Sequence, residues 1–217
     1  MLLFCGLFAN TAVAQDTFTW NGSSSNDWAT AANWTKTGIA GTDTYPGETL
    51  GRVLDLVIIS NGGTPIVASN VNAYGMVRLT ISNATGTVSG STLTINSGAT
   101  LNVSSATAAV VTLNGGSIVN NGTLNVTSTS TAASIGITCA TPSVAPPVTT
   151  YGYSGSGALN INISASTTAN RSTIAVTSLN ANTTYEMLFN GTTTLNLGSS
   201  TTTAYAIRAT GGTAASK

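Results

Sequence analysis

Histidine is absent from this chain of 217 residues, which holds only six Lys or Arg and six Asp or Glu and carries no net charge. Charged side chains make up 6% of the residues, against about 25% in an ordinary globular domain. Between Arg78 and Arg171 there is no charged side chain at all. Each scarcity removes a class of function. Without imidazole there is no histidine-based acid/base, nucleophilic or zinc chemistry. Without a basic cluster there is no footprint for nucleic acid or for anionic lipid. Charge-driven disorder needs high net charge and few β-branched residues, and this chain has neither. Cys5 and Cys139 are the only cysteines, too few for a disulfide framework. No stretch approaches the run of about 20 apolar residues that a membrane-spanning helix needs.

What remains is rich in small polar residues: 40 Thr, 25 Ser and 21 Asn, about 40% of the chain. Among them recurs a triplet of apolar, any, apolar. It appears as Leu79-Thr-Ile81, Leu93-Thr-Ile95, Leu101-Asn-Val103, Val111-Thr-Leu113, Leu124-Asn-Val126, Ile135-Gly-Ile137, Leu159-Asn-Ile161, Ile174-Ala-Val176 and Leu195-Asn-Leu197. Period-two alternation puts the apolar pair on one face of a short strand and the polar residue on the other. Turn formers such as Asn61-Gly-Gly63, Asn114-Gly-Gly116 and Asn121-Gly122 separate the runs.

The spacing points to an architecture. Val57 to Leu79 is 22 residues, Leu79 to Leu101 is 22 and Leu101 to Leu124 is 23; Leu93, Leu113 and Ile135 form a second series with steps of 20 and 22. Short strands recurring at that period predict an all-β chain folded as a right-handed parallel β-helix, or β-solenoid, with coils of about 22 residues. Stacked coils favour neutral Thr, Ser and Asn on the wall, because like charges stacked at that distance repel. Two alternatives compete. A mucin-like stalk fits the Ser/Thr content but not the few prolines or the regular triplets. Leu179-Asn-Ala-Asn-Thr-Thr-Tyr185 looks like the corner of a fibronectin type III domain, although the following residues fit further coils better.

Five segments follow. Residues 1–15 read as a signal peptide: an apolar stretch ends in Ala12-Val13-Ala14, with cleavage expected after Ala14 or Gln15. The positive start of such a leader is missing, which implies an upstream start, and Phe4 is too bulky for a lipobox ahead of Cys5. Residues 16–50 form a Trp-rich N-terminal cap and 51–137 form coils. Residues 138–153, with Pro142, Pro146 and Pro147, form a projecting loop, since proline cannot donate to a ladder. Residues 154–217 form further coils. No capping element is evident after Tyr205-Ala-Ile207, so the chain is expected to be the N-terminal part of a longer protein.

All three tryptophans lie within Thr19–Thr35. The pattern Trp20-x-Gly22, Asp27-Trp28, Asn33-Trp34, Tyr45-Pro-Gly47 and Asp55-Leu-Val-Ile-Ile59 resembles the start of large secreted β-helix proteins of Gram-negative bacteria, of the adhesin-like and autotransporter-like kind. The likeness spans residue 17 to about 126. It implies a structural and adhesive role on the outer surface, with surface polysaccharide or protein as partner, and it brings no catalytic residues. The tryptophans have two readings: a cap over the open apolar end of the first coil, or a glycan platform in which Trp20, Trp28 or Trp34 stacks on a sugar while Asn26 and Asp27 bond its hydroxyls.

Other chemistry finds little support. Parallel β-helices also host polysaccharide lyases and hydrolases, whose sites need clustered carboxylates, yet Glu186 is the only acid after Asp55. Asp43, Glu48 and Asp55 match no calcium loop and read as solvated cap residues. Thr85-Gly-Thr87, Thr92-Leu-Thr94 and Thr127-Ser-Thr129 suggest ice binding, but one coil after Thr92 the rank is broken by Asn114 to Ser117. The expectation is a non-enzymatic secreted or surface module with no cofactor or metal. A carbohydrate-binding module of a larger enzyme is the alternative, and ice binding a minor one.

Overall fold

The alternating apolar triplets become strands that pair in parallel, each with the third strand after it. A computed structural model describes residues 16–38, 41–48, 55–73, 76–83, 90–105, 109–130, 135–140, 149–164, 171–177, 183–198 and 204–210. The chain enters through β1 (Thr17–Trp20) and β2 (Trp34–Thr37), then visits three sheets in fixed rotation. The first circuit is β3 (Asp55–Ile59), β4 (Ile66–Val67) and β5 (Val71–Ala73); the second is β6 (Met76–Ser82), β7 (Ser91–Ile95) and β8 (Thr100–Ser105). Next come β9 (Ala109–Asn114), β10 (Gly116–Asn120) and β11 (Thr123–Ser128), then β12 (Ile135–Ala140), β13 (Thr149–Ser154) and β14 (Ala158–Ile163). The last full circuit is β15 (Arg171–Thr177), β16 (Thr183–Met187) and β17 (Thr193–Leu197), and β18 (Ala204–Thr210) begins another. The first sheet runs β2-β1-β3-β6-β9-β12-β15-β18, the second β4-β7-β10-β13-β16 and the third β5-β8-β11-β14-β17. Every pair is parallel except β1 with β2.

The registers stack the triplets into buried columns. In the first sheet Phe18, Val57, Leu79, Val111, Ile137 and Ile174 succeed one another, all fully buried. Beside them run Ile59, Ile81, Leu113, Cys139 and Val176. In the third sheet Leu101, Leu124 and Leu159 form one column, and Val103, Val126 and Ile161 the next. With Val67, Leu93, Ile95 and Ile118 of the second sheet and the three tryptophans, these columns form the core of the molecule.

Coil length differs from the expected 22 residues. Val57–Leu79 and Leu101–Leu124 are true neighbours, 22 and 23 residues apart. Leu79, however, pairs with Val111, 32 residues on, and Ile137 with Ile174, 37 residues on. The apparent step from Leu79 to Leu101 crosses from the first sheet to the third. A triplet encodes an inward face but not the sheet it joins, so connections of unequal length can imitate a single period.

The two ends of the expected 138–153 loop are strand. Thr138–Ala140 completes β12 and Thr149–Tyr153 lies in β13, while Pro142, Pro146 and Pro147 lie outside the described residues, as does the expected leader over 1–15. Tyr185, compared above with a fibronectin corner, lies in β16 and pairs with Tyr151 in the same second sheet. No helix among the described residues is long and apolar enough to cross a membrane.

Candidate functional site

The tryptophan segment is the first candidate, and its rings are inside. Trp28 has no exposed surface, and Trp34 and Trp20 are 6% and 7% exposed. Trp34 sits between the others, edge-on to Trp20 at 4.9 Å and to Trp28 at 4.8 Å, with Phe18 at 6.5 Å. Both central indoles are satisfied internally: Trp28 Nε1 donates to Pro46 O at 2.9 Å and Trp34 Nε1 to Trp28 O at 2.7 Å. Stacking on a sugar needs an exposed ring face, and these rings offer none. The arrangement is that of a lid over the end of the columns, where a large ring and a bonded N–H suit a buried polar-apolar boundary.

Asn26 and Asp27 are exposed, yet the Asn26 backbone and the Asp27 carboxylate serve the lid. Asn26 O accepts from Ile66 N and Trp28 N donates to Ile66 O, so this segment lies along β4 as the outermost rung of the second sheet. The Asp27 carboxylate accepts from Ala29 N and from Thr30 Oγ1. Asn33, part of the tryptophan motif but given no role of its own there, is the polar hinge of the lid. It is buried, accepts from Ser24 N and Ser25 N, and donates to Ser25 Oγ and Asp27 O. Lys36 Nζ pairs with the buried Asp16 carboxylate at 3.1 Å, and lies 5.7 Å from the centre of the Phe18 ring.

The isolated acids do not assemble. Asp43 is buried rather than solvated, and Glu48 accepts from Thr44 N and Thr44 Oγ1. Among the described residues no group of three His, Cys, Asp or Glu is placed to hold a metal ion. Glu186 is exposed on the second sheet, beside a depression of about 190 Å³ that also involves Ser117, Gly152 and Leu188. Arg171 is fully buried, with Nη1 donating to Gly198 O at 3.3 Å and with no partner for Nε and Nη2 among the described residues. Cys139 is a free thiol in an apolar column, and burial pushes it up to about 12, so it stays protonated and unreactive.

The most ordered array of polar groups lies on the outer face of the third sheet. Asn102, Asn125, Asn160 and Thr194 form one rank; Ser104, Thr127, Asn162 and Asn196 form the next. Asn125 Nδ2 donates to Asn102 Oδ1 at 2.7 Å, and Asn160 Nδ2 to Asn125 Oδ1 at 2.9 Å. In the second rank Asn196 Nδ2 donates to Asn162 Oδ1 at 3.2 Å. Between the ranks lies a shallow groove of about 260 Å³, lined by Asn102, Val103, Ser104, Asn125, Thr127 and Asn162. The sequence signal was present in the repeated Leu-Asn-Val and Leu-Asn-Ile triplets, whose central Asn faces out, but triplets do not reveal which Asn stands above which.

No family model, curated protein or solved structure matches this chain.

Proposed function

We propose that the chain is a secreted, non-enzymatic structural and adhesive module, built as a right-handed parallel β-helix with a tryptophan lid. Fixed rotation among three parallel sheets supports the β-helix reading, and the steric preference of parallel crossovers for one hand supports right-handedness. The observation that carries the functional reading is the in-register wall of uncharged amides and hydroxyls on the third sheet. Such a wall is stiff, chemically uniform and free of paired acids, which suits presentation and adhesion better than bond cleavage. The leader-like residues 1–15 support export, with the outer surface of a Gram-negative cell as the destination. A polysaccharide or a protein of another surface would be the partner.

The test is adhesion by the producing cell. Deletion of the gene should lower attachment to polysaccharide-coated or cell-covered surfaces, and the exported chain should be accessible to external protease. Unchanged attachment, or a chain retained inside the cell, would overturn the proposal. A second reading, a carbohydrate-binding module attached to an enzyme, is favoured by the amide-lined groove on the same sheet.

A further inference from the structure

The outer face of the third sheet has unused hydrogen-bonding capacity at a regular spacing. An asparagine amide offers two N–H donors and an oxygen with two lone pairs. In the ladder Asn125 uses one N–H toward Asn102 and one lone pair toward Asn160. Among the described residues nothing takes up the other N–H and lone pair, and Asn125 is half-buried with an open groove beside it. The neighbouring rank adds the Thr127 hydroxyl and the exposed Asn162 amide, whose oxygen accepts from Asn196. Rungs of a sheet repeat at about 4.8 Å, so donors and acceptors recur along the stack at nearly the rise of an extended hexose polymer.

From this we infer that the groove at Asn125, Thr127 and Asn162, bounded by the buried Asn102, binds a neutral polysaccharide chain laid along the stack, its successive hydroxyls bonded to successive rungs. The inference rests on the adhesive reading above and assigns its ligand class. Neutrality follows from the groove itself: no residue between Arg78 and Arg171 is charged, so a uronate, sulfate or ammonium group would lose its hydration without finding a counter-charge. A protein partner fits less well, because the groove holds no Trp, Tyr or Arg to serve as an anchor. Its shallowness suits one side of a long chain rather than an enclosed single sugar.

The test uses the full chain with insoluble cellulose, curdlan and mannan as neutral polymers and polygalacturonate and chitosan as charged ones. Retention on at least one neutral polymer is expected, unchanged up to about 1 M salt because no charge is involved. Combining Asn162→Ala with Thr127→Val should weaken retention at least tenfold while the circular dichroism and melting curve stay those of the parent. The exposed single variant Asn162→Ala serves if the double variant fails to fold. Thr94→Ala on the second sheet should change nothing.

Absence of binding to every neutral polymer, or binding untouched by the third-sheet variants, overturns the inference. So does retention on charged polymers alone, or thermal hysteresis that the same variants abolish, which would make the face an ice-binding surface. If cells still attach through the chain while no polymer is bound, the groove inference fails and the adhesive reading stands. If neither attachment nor binding occurs, both fall.

Discussion

Trp28 and Arg171 are both fully buried, and they sit at opposite ends of the energetic range. Trp28 fills the lid and has its one polar atom bonded to Pro46 O. Truncation of Trp28 to alanine should cost about 3–5 kcal/mol, the usual loss for a large buried aromatic. Chemical denaturation would show it, and a loss below about 1 kcal/mol would mean that the ring is not packed as described. Arg171 is the reverse case. Among the described residues its Nε and Nη2 meet no acceptor, and a buried charge without compensation is costly. Arg171→Met keeps much of the volume and removes the charge, so it should raise stability by about 1–4 kcal/mol. A destabilised variant would show that the guanidinium has a partner that offsets its burial.

At the scale of the element, single side chains tie rungs together across long stretches of sequence. Tyr185 in β16 reaches back so that its hydroxyl accepts from Gly115 N at 2.7 Å, with Leu113 O and Ala140 O both within reach of its one proton. Tyr153 in β13 does the same for Asn120, whose Nδ2 donates to its hydroxyl at 2.8 Å. Tyr185→Phe would remove the acceptor of the Gly115 amide and the one proton that the two carbonyls share, at a cost of about 1–3 kcal/mol. Equilibrium unfolding measures this directly; an unchanged midpoint would mean that water replaces the phenol without loss. β13 also shows why its own sequence is Tyr-Gly-Tyr. Gly152 has φ of 140°, and a Cβ there would lie 1.9 Å from Glu186 O, so only glycine lets β16 approach.

On the scale of the whole molecule, charge is nearly absent from the wall, and several groups that titrate at high pH are buried. Burial raises the Cys139 thiol to about 12 and raises the Tyr153 and Tyr185 hydroxyls above their ordinary value of 10.0. The unfolded chain releases these protons at the ordinary values of 9.0 and 10.0, before the folded chain does. In that window the unfolded state binds fewer protons, so stability is fully present below about pH 9 and declines as pH rises. Melting temperatures from roughly pH 7 to 11 should therefore fall across the upper part of the range, and a level profile would contradict the burial of these groups. The two ends of the stack also differ. The lid closes one end, whereas at the other Tyr205 and Ile207 are 42% and 54% exposed, although Ile207 is in register with the buried Ile174.

The sequence by itself determined the all-β class, the short strands, the inward apolar pairs and the neutral wall, because alternation and turn residues act within a few positions of the chain. It also marked Trp20, Trp28 and Trp34 as a unit, without distinguishing a lid from a platform. Only the tertiary structure decided that the rings are buried, since burial of an indole depends on the columns packed beneath it and on the bond to Pro46 O. It likewise decided which triplet stands above which, overriding the apparent 22-residue period with steps as long as 37. The amide groove is a product of that register: Asn102, Asn125 and Asn162 are ordinary strand residues in the chain and become an array only when unequal loops bring their rungs into line.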